Sequence, residues 1–168
     1  MARLAEIVAL ECGVPSVEAR KIRIAASLHD IGKLKISAEI LLKPGKLTAE
    51  EFEVVKTHTT LGAAMMGSIQ GNLGEIIRAV ALYHHEWYSG GGYWGKYTDE
   101  LPIAVSITAI SDVFTALCFK RPYKKAWPPE DALDYIRKQS GTQFNPELVG
   151  IFLSLVKNNS RIPAIFGR

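Results

Sequence analysis

"KIRIAASLHDIGK", residues 21–33, decides the fold class, because a single helical face can be followed through it to a chemically unusual end. It belongs to a segment from Val17 to Leu28 in which Ile22, Ala25, Ala26 and Leu28 recur at near-helical intervals, with Ser16 placed to cap it. That helix delivers His29-Asp30 to its C-terminal end, and Gly32 is expected to stop it.

The same period continues outward in both directions. Leu4, Ile7 and Val8 open a first helix closed by Gly13-Val14-Pro15-Ser16. Residues 36–43 read as a short helical segment ended by Pro44-Gly45. Thr48-Ala49-Glu50-Glu51 forms a capping box for a helix through Phe52, Val55 and His58, and 60–69 follows as another, rich in small residues. Residues 75–85 form an amphipathic helix, and 89–101 read as loop. Pro102 opens a strongly apolar helix through Ile107, Ile110, Phe114 and Leu117. Residues 130–138 and 146–156 complete the set, with Asn145 capping the last. No alternating strand pattern survives comparison with the helix period, so the chain reads as all-α.

A length of 168 residues suits one domain with one core, and 48% hydrophobic against 22% charged residues is a globular balance. A net charge of +3 is too small to imply a DNA partner without a clustered patch. No apolar stretch is long enough to span a bilayer and no secretory signal opens the chain. Cys12 and Cys118 stand far apart and read as reduced, buried thiols, which points to a cytoplasmic setting.

The potential metal ligands then form a pattern. His29 and Asp30 end one helix, His58 sits on the next long one, His84 and His85 end a third, and Asp112 lies inside the most apolar helix. Each step is about one helix plus its loop, so a bundle can bring the groups together. Imidazole nitrogen with carboxylate oxygen suits Fe, Mn or Zn. Each residue alone has an ordinary reading: His58 as a core or dipole-compensating histidine, Asp112 as a solvated helix edge. All four histidines fall in this one set, however, and Asp112 needs strong compensation among Ile110, Val113, Phe114 and Leu117. Jointly they favour a metal centre.

"HDIGK" (29–33), "ILLKPGKLTAEEFEVVKTH" (40–58), "ALYHHE" (81–86), "AISDVFTAL" (109–117), "RPYKKAW" (121–127) and "QSGTQFNPELV" (139–149) together resemble the HD-GYP domain of the His-Asp metal-dependent phosphohydrolases. The resemblance covers nearly the whole chain as a single domain, residues 1–168. It places Met1 within the family's first helix, so the N-terminal part of that helix is expected to be missing. It implies a helical HD-domain bundle with a metal centre in the core. It also implies a bacterial phosphodiesterase that hydrolyses cyclic-di-GMP, or a related cyclic dinucleotide, to pGpG or GMP. His29, Asp30, His58, His84, His85 and Asp112 would be metal ligands, with Asp30 bridging two divalent ions, iron first and manganese as the other candidate. Lys33 would act with Asp30 in catalysis and, with Tyr93, Arg121 and Lys124, in binding the substrate.

The sequence departs from the family at three places. Gly92-Tyr93-Trp94 stands where the family has Gly-Tyr-Pro, in a loop associated with substrate access and GGDEF cyclase partners, here spanning Trp87 to Trp94. The upstream residues that hold a third metal in some members have no counterpart at Glu6 or Glu11, so no third ion is expected. Thr115 replaces a common second Asp. The altered loop keeps a second reading open, that of a regulatory module that binds the dinucleotide with little turnover. Glu86 has two readings, a partner orienting a ligand histidine or a solvated helix end. The run Gly90-Gly91-Gly92 reads as a flexible loop, and Trp127-Pro128-Pro129 as packing before the next helix.

Overall fold

The computed structural model describes residues 1–119 and 126–158, and it is all-α throughout them. Helices run in the order α1 (Ala2–Glu11), α2 (Ser16–Leu28), α3 (Ala38–Leu41), α4 (Ala49–Lys56), α5 (His58–Met65), α6 (Gly71–Tyr83), α7 (Ile103–Cys118), α8 (Pro129–Lys138) and α9 (Pro146–Asn158). Short 3-10 turns occupy Ile31–Lys35 and Thr98–Glu100, the second inside the stretch expected to be loop. Among the described residues no helix is long and apolar enough to cross a membrane.

The expected faces are the buried ones. Helix α2 buries Ala19, Ile22, Ala25 and Ala26 against Leu4, Ala5, Val8 and Ala9 of α1, and the alanines let the two backbones approach closely. The long helix α7 is the axis of the bundle: Val105, Ile107 and Ile110 are fully buried, and Phe114 meets Phe152 of α9 edge to face at 5.2 Å. Each such side chain contributes roughly 1.5–3 kcal/mol by leaving water.

Local signals behaved unevenly. The capping box at Thr48 and Glu51 forms in both directions, and Asn145 accepts from the backbone N–H groups of Glu147 and Leu148. Ser16, by contrast, is the first helical residue behind Pro15 and makes no cap. The helix expected over 75–85 begins at Gly71 and ends at Tyr83. Cys12 and Cys118 are free but only half-buried, and burial with nearby carboxylates raises both thiols, Cys118 to about 11.

Gly32 does not stop α2, which has already ended at Leu28. Its role is close approach: a Cβ there would lie 1.9 Å from the His58 carbonyl oxygen and 2.5 Å from the Gly62 nitrogen. The turn after Asp30 therefore presses directly on the start of α5, which brings Asp30 and His58 to one place.

Candidate metal centre

Four helix ends and one helix interior supply the site. His29 follows the last residue of α2 and Asp30 precedes the 3-10 turn. His58 opens α5, while His84 and His85 come directly after α6. Asp112 stands midway along α7, and its carboxylate Oδ1 lies 3.7 Å from His29 Nε2. Helix ends expose carbonyl groups that have no partner within the helix, and here the histidines use them.

Those carbonyls fix the tautomers. Nδ1 of His29 lies 2.8 Å from the Ala26 oxygen, Nδ1 of His58 2.6 Å from the Val55 oxygen, and Nδ1 of His84 3.0 Å from the Val80 oxygen. A carbonyl can only accept, so each Nδ1 carries the proton and each Nε2 presents a lone pair. The Nε2 atoms of His58 and His84 are 3.4 Å apart, lone pair toward lone pair. Asp30 Oδ1 lies 3.3 Å from the first and 3.7 Å from the second. It is buried and has no hydrogen-bond donor.

Ligand atoms from Asp30, His58, His84 and His85 all fall within 4.8 Å of one another. Acceptors converging without a donor need a proton or a cation. Protonation is disfavoured: burial pushes His58 down, burial and His85 push His84 well down, and burial and His58 push His85 to about 4. At neutral pH these imidazoles are in the form that ligates metals. Burial raises the Asp30 carboxyl, but His29 and Lys33 outweigh it and hold the group below its usual range. The donor set therefore fits a divalent cation.

The remaining site residues surround this cluster. Lys33 Nζ donates to Asp30 Oδ2 at 2.6 Å, and Asp30, Lys33, His85 and Asp112 line a cleft of 490 Å³. The Tyr93 ring lies 4.5 Å from the His85 ring, with Lys56 5.6 Å from its centre. Arg121 and Lys124 lie outside the described residues. Glu6, in α1, is engaged by Arg23 of α2 at 3.0 Å.

Glu86 matches neither of its two readings. It is 1% exposed, and its two carboxylate oxygens accept from the backbone N–H groups of Trp94 and Lys96, each at 2.7 Å. It anchors the loop rather than a histidine. The Trp94 indole N–H adds a bond to Thr59 Oγ1 at 3.3 Å. Gly92 is needed for contact and not for flexibility, since a Cβ there would sit 2.4 Å from the Glu86 Cα. Only the loop's course reveals this clamp; the single sequence cue was a Glu next to two histidines.

Comparison with known proteins agrees with this architecture. The model of the HD domain family matches residues 1–148. The chain is 38% identical over 169 residues to the cyclic di-GMP phosphodiesterase response regulator RpfG of Xanthomonas campestris, covering 100% of this chain and 44% of that protein. It is 43% identical over 151 residues to a cyclic di-GMP phosphodiesterase of Thermotoga maritima, covering 89% and 41%. It thus spans less than half the length of these relatives. Among solved structures, the HDG"Y"P protein Bd1817 of Bdellovibrio bacteriovorus shares the fold, with a TM-score of 0.70 at 15% identity over 93% of this chain and 50% of that one. The chain belongs to the HD domain family.

Proposed function

We propose that this chain is a single HD-GYP domain acting as a metal-dependent phosphodiesterase that hydrolyses cyclic di-GMP, or a related cyclic dinucleotide, to pGpG or GMP. The observation that carries the reading is the set of inward-facing acceptors, Asp30 and three histidines, with the Lys33 ammonium on the same cleft. The curated relatives are named as cyclic di-GMP phosphodiesterases.

His29, Asp30, His58, His84, His85 and Asp112 would hold two divalent ions, iron or manganese, with Asp30 between them. Such ions, when bound, supply a nucleophile at neutral pH and offset charge on the phosphate oxygens. The protein's own groups do the rest. Backbone carbonyls hold three imidazoles in the ligating tautomer, and Lys33 orients Asp30 while placing a positive charge where a phosphate would enter. Tyr93 borders His85 and would help to position the substrate. Arg121 and Lys124 are assigned to phosphate binding on the family resemblance alone; a guanidinium grips two oxygens and an ammonium acts as a point charge.

We place the domain in the cytoplasm, with the Trp87–Trp94 loop as the face toward a GGDEF-type cyclase or another signalling protein. Trp87 and Trp94 are both more than a third exposed there. The test is anaerobic reconstitution with Fe(II) or Mn(II), followed by chromatography of cyclic di-GMP reactions. Linear pGpG or GMP is expected. Bound metal and bound nucleotide without product would overturn the enzymatic reading in favour of a regulatory binding module.

A further inference from the structure

The cleft beside the metal-binding cluster extends well past it. It is also lined by Val113, Ala116 and Leu117 of α7, together with Trp127 and Tyr135. The same two aromatic residues border a second hollow, of 570 Å³, whose other walls include Asp131 and Asp134 of α8. Trp127 and Tyr135 therefore border both spaces. Both are anchored: the Trp127 backbone N–H donates to the Leu117 oxygen at 2.9 Å, and the Tyr135 hydroxyl to Gln143 Oε1 at 3.2 Å. Their rings meet nearly perpendicular, 6.2 Å between centres. In the sequence, Trp127 before Pro128-Pro129 has the pattern of a packing residue.

We propose that Trp127 and Tyr135 form a purine-base subsite and that Asp131 reads guanine within it. This rests on the phosphodiesterase reading above. A nucleotide whose phosphate lies at Asp30, Lys33 and Asp112 carries its ribose and base along the cleft, and the α7 wall that it would meet is apolar and ends in two aromatic rings. Bases stack on such rings with little regard to sequence. Identity needs a polar reader at the edge of the ring. Asp134 is taken by Arg137, which leaves Asp131 as the carboxylate of this hollow. An ionised carboxylate only accepts. Guanine offers two adjacent donors, N1–H and the N2 amino group, whereas adenine places a lone pair at N1.

The test uses the metal-loaded chain with cyclic di-GMP and cyclic di-AMP. Trp127→Leu should raise KM for cyclic di-GMP about tenfold, with kcat changed by less than about twofold and metal content equal to wild type. Trp127→Phe, which keeps an aromatic face, should recover most of that loss. Asp131→Asn, on the exposed face of α8, should reduce the preference for cyclic di-GMP over cyclic di-AMP about tenfold. An unchanged KM in Trp127→Leu would overturn the subsite. So would an equal fall in kcat for both Trp127 variants, which marks packing alone. If wild type binds but does not hydrolyse, calorimetry decides separately: weaker binding by Trp127→Leu keeps the subsite while the enzymatic reading falls. Equal binding by the two proteins removes the subsite, and binding by neither removes both.

Discussion

Asp30 is the residue on which the site turns. Its Oδ1 is buried without a donor and its Oδ2 is held by Lys33, so one carboxylate faces both the histidines and the cleft. Asp30→Ala is expected to reduce metal content to background and to abolish hydrolysis, measured by elemental analysis and product chromatography. Wild-type metal content in that variant would refute the assignment. Trp94 gives a less intuitive expectation. Proline at this position, the family's usual residue, has no N–H to offer Glu86. Trp94→Pro would leave a buried carboxylate oxygen short of a donor and would remove the indole bond to Thr59. It is therefore expected to destabilise the protein by about 1–3 kcal/mol in chemical denaturation, even though it restores the Gly-Tyr-Pro triplet. A more stable variant would contradict the clamp.

At the scale of elements, the contact between the 3-10 turn and α5 sets the distance between Asp30 and His58. Gly32→Ala forces a methyl into the His58 carbonyl, and the backbone must shift. A loss of about 1–3 kcal/mol is expected, together with weakened metal affinity, because the change displaces two of the proposed ligands at once. Phe152→Ala on α9 makes a useful contrast. It removes a fully buried ring from Phe114 and should cost about 3–5 kcal/mol, while metal affinity in the folded fraction stays near wild type. Thermal or denaturant unfolding paired with metal titration separates the two variants.

Across the whole molecule, most of the helices and the cluster itself were legible in the sequence, because both are written in local spacing. Apolar residues at helical intervals set the faces, and the ordered motifs from HDIGK onward held the histidines and aspartates that the bundle brings together. Three features were not legible, each for a long-range reason. The partners of Glu86 depend on how a loop returns on itself. The role of Gly32 depends on a backbone that passes nearby, and the position of Trp127 depends on α8 crossing the end of α7. Arg121 and Lys124 fall outside the described residues. The cluster also sets how the fold responds to acid. In the unfolded chain the histidines titrate near 6.5, while in the fold His85 is pushed down to about 4 and His58 and His84 are lowered in the same sense. The unfolded chain thus binds protons that the fold refuses, so the histidine contribution to stability is complete above about pH 6.5 and is lost as pH falls toward about 4. Denaturation of the metal-free protein at pH 7.5, 5.5 and 4.5 should show falling stability; a flat profile would contradict the neutral tautomers.

The most direct measurement of the central claim is elemental analysis of the chain after anaerobic reconstitution and desalting, with Asp30→Ala carried alongside. About two iron or manganese ions per wild-type chain, and none above background in the variant, is the predicted result. A wild-type chain that emerges folded and metal-free would contradict the account.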